Sequence, residues 1–168
     1  MTKPNALLEV QGVSRSFGGL KAVQNVSLQV PQGSLTALIG PNGAGKTTLF
    51  ALLSGFLTPD TGRVVFKGQD ITGQAPHLNA KLGMTRTFQI VQPFAAQTVR
   101  ENIAVGAHLH TASREQALAT AEQVAQRVGL ADQLDKLASD LTVAGRKRLE
   151  LARALATEPQ LLLLDEVL

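Results

Sequence analysis

The sequence predicts an α/β fold in which antiparallel strands flank a strand–loop–helix core and a helical segment is inserted before a final strand. Three observations predict it. An almost wholly apolar run, Leu35–Ile39, leads directly into a glycine-rich octet, Gly40–Thr47, and then into a helical run, Thr48–Leu53. Short runs of β-forming residues separated by Gly and Pro turns precede and follow that unit. Near the end of the chain, four consecutive leucines, Leu161–Leu164, run into two acids, Asp165 and Glu166.

Taken in order, Leu7–Val10 reads as a short strand, and Val26–Val30 alternates apolar with polar residues as a half-buried strand does. Pro31–Gly33 is a turn. Leu35–Ile39 reads as a strand buried on both faces, as in a parallel sheet. The helix after the glycine-rich loop ends at Gly55, a residue suited to the left-handed conformation that closes helices. Thr58–Gly62 is a turn, Arg63–Phe66 a strand, and Lys67–Gly68 a hairpin-like turn. Composition then shifts. Between Glu115 and Val128, residues Ala117, Leu118, Ala121, Val124, Ala125 and Val128 fall on one helical face, and Gly129 ends that helix. A second helix is expected over Arg146–Ala156, stopped by Pro159. The expected organisation is one domain over 1–168, with a strand-rich core in 1–89 and 157–168 and a helical subdomain in 90–156.

The 168 residues suffice for one domain with a real core, and 44% of them are hydrophobic, which excludes a disordered chain. Net charge is +3, too mild to argue for nucleic acid. The basic cluster Arg146–Arg148 reads as the solvated first turn of a helix. Cysteine is absent, so no disulfide framework and no thiolate metal site can form. No apolar run approaches the ~20 residues of a membrane span, and no signal-peptide pattern opens the chain. His77, His108 and His110 lack the spacing of a metal site.

Gly40-Pro41-Asn42-Gly43-Ala44-Gly45-Lys46-Thr47 fits Gly-x-x-x-x-Gly-Lys-Ser/Thr, the phosphate-binding P-loop. Its glycines let the backbone curl so that successive N–H groups point inward at phosphate oxygens. The helix that follows, through Thr48, adds the positive end of its dipole. Lys46 is expected to reach the β- and γ-phosphates, and the Thr47 hydroxyl to ligate Mg²⁺. Leu161–Glu166 looks like a Walker B element: a buried strand that delivers two acids to the carboxyl edge of a sheet, where α/β folds bind ligands. Asp165 would hold Mg²⁺ through water, and Glu166 would orient or deprotonate the attacking water.

With these motifs in place, the chain resembles the ATPase subunit of an ATP-binding cassette (ABC) transporter over nearly its whole length. The resemblance implies a P-loop ABC ATPase core with an antiparallel β subdomain and an inserted helical subdomain. Ser16-Phe17-Gly18 stands where the family has its adenine-stacking aromatic, so Phe17 is expected to stack on the base. Arg86-Thr87-Phe88-Gln89 resembles the Q-loop, whose glutamine senses Mg²⁺ and the attacking water, which makes Gln89 a catalytic and metal-site candidate. Leu141-Thr142-Val143-Ala144-Gly145 stands where the family has Leu-Ser-Gly-Gly-Gln. Thr142 keeps the hydroxyl, while Val143, Ala144 and Gly145 depart from the pattern. Thr142, Ala144 and Gly145 are therefore candidates for contacting ATP held by a second subunit.

His77–Gln89 and Thr98–Ile103 resemble ATPases of branched-chain amino-acid importers, with urea importer ATPases similar. The family implies ATP and Mg²⁺ as cofactors. As partners it implies a second ABC ATPase subunit, transmembrane permease subunits and, indirectly, a periplasmic solute-binding protein, with no nucleic acid. The site of action it implies is the cytoplasmic face of the inner membrane, held peripherally. Alternatives are the ATPase of a lipid or lipopolysaccharide exporter, a soluble non-transport ABC protein and a catalytically dead nucleotide-binding module. The family pattern continues beyond Glu166 with a D-loop and a strand carrying a switch histidine. Neither follows before Leu168, and Val167 stands where proline is common. The expectation is a C-terminally truncated cassette that binds ATP, hydrolyses it slowly and leaves apolar surface exposed.

Overall fold

The computed structural model describes residues 6–88 and 92–165, in two compact units, Met1–Asn79 and Ala80–Leu168. In the first, β1 (Ala6–Phe17) and β2 (Leu20–Pro31) form an antiparallel hairpin. The other edge of β1 pairs antiparallel with β3 (Thr61–Phe66), which turns into β4 (Gln69–Asp70), giving the order β2-β1-β3-β4. The β3–β4 turn is Lys67–Gly68, both at positive φ (54° and 79°), the pattern of a two-residue hairpin whose twist matches its strands. Leu8 sits opposite both Val30 and Phe66, and Val10 opposite both Leu28 and Val64. Leu8, Val10, Val13, Val64 and Phe66 are buried on that sheet.

β1 runs well past the Leu7–Val10 expected from sequence. Gln11, Gly12, Ser14 and Ser16 hide it in a propensity reading, yet the two neighbours satisfy its backbone on both sides. The register shifts between Val10 and Val13, a bulge that a period-2 pattern cannot carry. α1 (Lys46–Ser54) buries Leu49, Leu52 and Leu53 and ends at Gly55, which is in the left-handed conformation.

One expectation is overturned in this unit. Leu35–Ile39 is not a doubly buried strand: no described strand pairs with it, and Leu35 and Ile39 are 98% and 91% exposed. An apolar run becomes a buried strand only where neighbouring strands accept its N–H and C=O groups. β2 and β4 are the edges of the sheet in this unit, and among the described residues neither pairs with this run.

α2 (Pro76–Leu82) carries the chain from the first unit into the second. There, β5 (Met84–Arg86) pairs in parallel with β6 (Leu161–Leu163), matching Met84 to Leu161 and Arg86 to Leu163. The four-leucine strand is shorter than its apolar run. Among the described residues β6 pairs on one side only, with β5, and Leu164 lies outside it, partly exposed. Leu161 and Leu162 are half-buried and Leu163 is buried, so the strand is not buried on both faces along its length.

α3 (Val99–Ala107), α4 (Arg114–Val128) and α5 (Val143–Leu155) pack around Ile103, Ala121, Leu130, Leu149 and Ala152. The stripe expected over Glu115–Val128 is the buried face of α4. α5 starts three positions before the expected Arg146, because the Thr142 hydroxyl accepts the Gly145 N–H (3.1 Å) and caps it. α3 is an element beyond those expected from the sequence. Its signal is a capping box: the Thr98 hydroxyl accepts the Glu101 N–H while the Glu101 carboxylate accepts the Thr98 N–H. Among the described residues no helix is long and apolar enough to cross a membrane.

Candidate functional site

The first cluster lies at the start of α1. The chain turns through Asn42–Gly43, where the Ala44 N–H donates to Pro41 O (3.2 Å). Gly45 is the N-terminal boundary residue of α1, at φ 84°. A Cβ there would lie 2.2 Å from the Ala22 carbonyl oxygen of β2, so both conformation and space require glycine. Gly45 offers no capping side chain and the first turn holds no acid. That leaves the positive end of the helix to a ligand.

The Lys46 ammonium donates to Gly40 O (2.8 Å) and Pro41 O (2.9 Å), folding its stem back across the loop. Asn42, Gly43, Ala44 and Thr47 are exposed, and Thr48 is half-buried, behind them in the first turn. An uncapped helix start, a loop curled by glycine and an ammonium drawn over its carbonyls fit an oligophosphate. Phe17, in the same unit at the end of β1, is partly exposed, with the Arg15 guanidinium over its ring, 5.1 Å from the centroid.

The second cluster lies where β5 and β6 end. Asp165 is 3% exposed, and its carboxylate accepts from Arg86 Nη2 at 2.9 Å. The Asp165 N–H donates to Thr87 Oγ1 (3.2 Å), and the Thr87 N–H to Leu163 O (3.0 Å). The Arg86 guanidinium also lies over the Phe88 ring, 5.3 Å from its centroid, and the Phe88 N–H donates to the Glu150 carboxylate of α5. Gln89 and Glu166 lie outside the described residues.

Among the described residues there is no group of three His, Cys, Asp or Glu side chains able to hold a metal on its own. The candidates Thr47 and Asp165 are hard oxygen donors. That suits Mg²⁺, which keeps waters and takes few protein ligands alongside substrate phosphates. Farther along, Arg153 of α5 donates to Gln92 O (3.1 Å) and lies 4.7 Å from the Phe94 centroid. Burial lowers the Arg153 pKa, against the opposing charge of Glu150.

Thr142, Ala144 and Gly145 all lie at the start of α5: Thr142 caps it, Ala144 is exposed and Gly145 is buried. The Arg146 guanidinium donates to Leu141 O (3.0 Å) and Ser139 O (3.2 Å), closing the turn before the helix. His108 and His110 bond to backbone carbonyls of Thr111 and Thr157.

Arg86, Arg15 and Asn102 have roles that no sequence motif assigns. Arg86 and Arg15 each stand beside a motif residue, and each acts through a partner far away in sequence. Asn102 is fully buried and donates to Phe94 O, Gln97 O and Thr98 O, pinning the segment before α3.

Known proteins extend these observations. The ABC transporter family profile matches residues 23–168. The chain is 39% identical to the "High-affinity branched-chain amino acid transport ATP-binding protein LivG" of Escherichia coli, over 99% of this chain and 70% of LivG. A nucleotide-free ATP-binding cassette from an ABC transporter superposes at TM-score 0.85 with 32% identity, over 97% of this chain and 70% of that one. The cbiO1 protein of Clostridium perfringens, part of the ABC transporter complex cbiONQ, superposes at 0.83 with 27% identity, over 96% and 66%. Family match, relatives and the mixed α/β architecture agree: the chain belongs to the ABC transporter family, as part of its ATP-binding and ATP-hydrolysing cassette.

Proposed function

We propose that this chain binds Mg·ATP in the Gly40–Thr47 loop and serves, with a second ATPase subunit, to power import of branched-chain amino acids. The observation that carries the nucleotide reading is the uncapped start of α1 behind Gly45, with Lys46 drawn over the loop by Gly40 O and Pro41 O. Backbone N–H groups of the loop between Gly43 and Thr48 take the phosphate oxygens, and Lys46 supplies a positive charge to the β- and γ-phosphates. Phe17 stacks on the base. The Thr47 hydroxyl, Asp165 and Gln89 would hold magnesium, which would supply charge neutralisation at the phosphates. Glu166 orients or deprotonates the attacking water. Thr142, Ala144 and Gly145 present the start of α5 to ATP bound by the second subunit.

The cargo reading rests on LivG, which matches this chain along almost all of its length. Permease subunits in the inner membrane, fed by a periplasmic solute-binding protein, would receive the mechanical work at the cytoplasmic face.

Titration with a fluorescent ATP analogue tests the nucleotide reading. Removing the charged contact with Lys46→Ala is expected to weaken binding about 10- to 100-fold. Equal affinity in that variant would overturn it. The cargo reading is checked by ATP-driven uptake of labelled leucine in proteoliposomes holding this chain with its permeases and binding protein. Uptake of a different solute class alone would refute it.

A further inference from the structure

We infer that Arg86, together with Thr87, is a positioning residue that fixes the Asp165 carboxylate for a divalent cation. The inference rests on the proposed role of Asp165 at magnesium. Arg86 closes β5 opposite Leu163, which closes β6. The ladder then continues one step beyond the strands by other means. The Thr87 N–H donates to Leu163 O (3.0 Å), and the Thr87 hydroxyl takes the place of a backbone carbonyl in accepting the Asp165 N–H (3.2 Å). The main chain of Asp165 is thereby set by Thr87, and its side chain by Arg86 Nη2 on Oδ2 (2.9 Å).

Both side chains are nearly inaccessible, at 6% and 3% exposure. The guanidinium is itself seated on the Phe88 ring, so its fork is aimed before the carboxylate is considered. A buried ion pair is weak evidence for a stabilising role, because desolvation offsets most of the attraction and an apolar pair would close two short strands as well. Carboxylates that ligate metals are, by contrast, regularly held by a further hydrogen-bond donor that fixes their orientation. Here that donor comes from 79 residues away, on the neighbouring strand.

The test loads the full chain with a fluorescent ATP analogue in EDTA, then titrates Mg²⁺ and reads the half-saturating concentration. Wild type is compared with Arg86→Met, Arg86→Lys and Asp165→Asn. Arg86→Met is expected to raise the half-saturating Mg²⁺ about tenfold, the lower end for loss of a partner to a metal ligand. Arg86→Lys keeps a cation and loses the planar fork, so it is expected to fall between wild type and Arg86→Met. It also carries the test if Arg86→Met fails to fold. Wild-type Mg²⁺ dependence in the Arg86 variants, with a raised requirement in Asp165→Asn, would overturn the inference and leave the metal reading standing. Wild-type dependence in Asp165→Asn would overturn both. A variant that weakens analogue binding in EDTA by as much as it weakens the Mg²⁺ response would show Arg86 to be structural, which also overturns the inference.

Discussion

Arg15 holds Phe17 from one side: its guanidinium carbon lies 5.1 Å from the ring centroid, while Nη1 of the same group donates to Asp60 Oδ1 at 2.7 Å and to Thr58 O at 3.2 Å. Asp60 also accepts the Ser16 N–H at 2.8 Å, so the end of β1 is tied to the turn before β3. The Arg15 guanidinium lies over the ring, and the proposed stacking of a base would use the opposite face. Phe17→Ala is expected to weaken binding of a fluorescent ATP analogue by about 1–3 kcal/mol, the range for a base on an aromatic ring. Displacement by inorganic tripolyphosphate is expected to be unaffected. Equal losses for both ligands would show that Phe17 does not touch the base.

Gly43 and Gly45 share a positive φ, at 79° and 84°, but differ in surroundings. A Cβ at Gly43 meets nothing within 4 Å, whereas at Gly45 it meets the Ala22 carbonyl oxygen at 2.2 Å. Gly43→Ala is therefore expected to cost only the left-handed conformation, about 1–2 kcal/mol. Gly45→Ala is expected to lower the melting temperature further and to abolish analogue binding, because backbone rather than a flexible side chain must move. Matching melting temperatures in the two variants would contradict this.

Asn102 lies wholly inside the second unit, where its amide donates to three carbonyls and its Oδ1 accepts the Phe94 N–H at 2.9 Å. Asn102→Ala strands those groups, at about 1–3 kcal/mol for each buried one left without a partner. Chemical denaturation is expected to show a reduced midpoint with an unchanged slope, and amide exchange at Phe94 is expected to accelerate. Unaltered exchange there would mean the segment is held by other contacts.

Hydrogen bonds from the Thr98 backbone and hydroxyl hold the Glu101 carboxyl below its usual range. A folded-state pKa below the unfolded one means that the cap contributes fully above the ordinary carboxylate range. Its contribution fades as pH falls through the lowered folded value. Glu101→Gln keeps a side-chain acceptor but cannot titrate. The melting-temperature difference between wild type and Glu101→Gln is expected to be largest near neutral pH and to shrink in acid. A difference that stays constant with pH would rule out a charged cap. Thr98→Ala removes the hydroxyl half of the box and is expected to cost about 1 kcal/mol at neutral pH.

The elements that sequence reading located well were those set by local constraints. The start of α1 is fixed by glycines at φ values other residues avoid, and the end of α4 by Gly129 in the same conformation. The apolar stripe of α4 also needed no knowledge of its neighbours, since periodicity names the buried face. The Thr98–Glu101 box is equally local, both halves of the cap lying within four consecutive residues.

Strand pairing behaved differently. Leu35–Ile39 and Leu161–Leu164 are both apolar runs, yet the first is unpaired among the described residues and the second is covered along one edge. Apolar composition states that a segment should be buried; which strands receive it depends on residues far along the chain. The same holds for the site. The sequence alone determined that residues 40–47 match the phosphate-loop pattern, because that pattern is a property of eight consecutive residues. Only the tertiary structure decided that Asp165 meets Arg86 and that Phe17 meets Arg15 anchored by Asp60. Contacts of that kind follow from register and from the path of the chain, which no single stretch of sequence encodes.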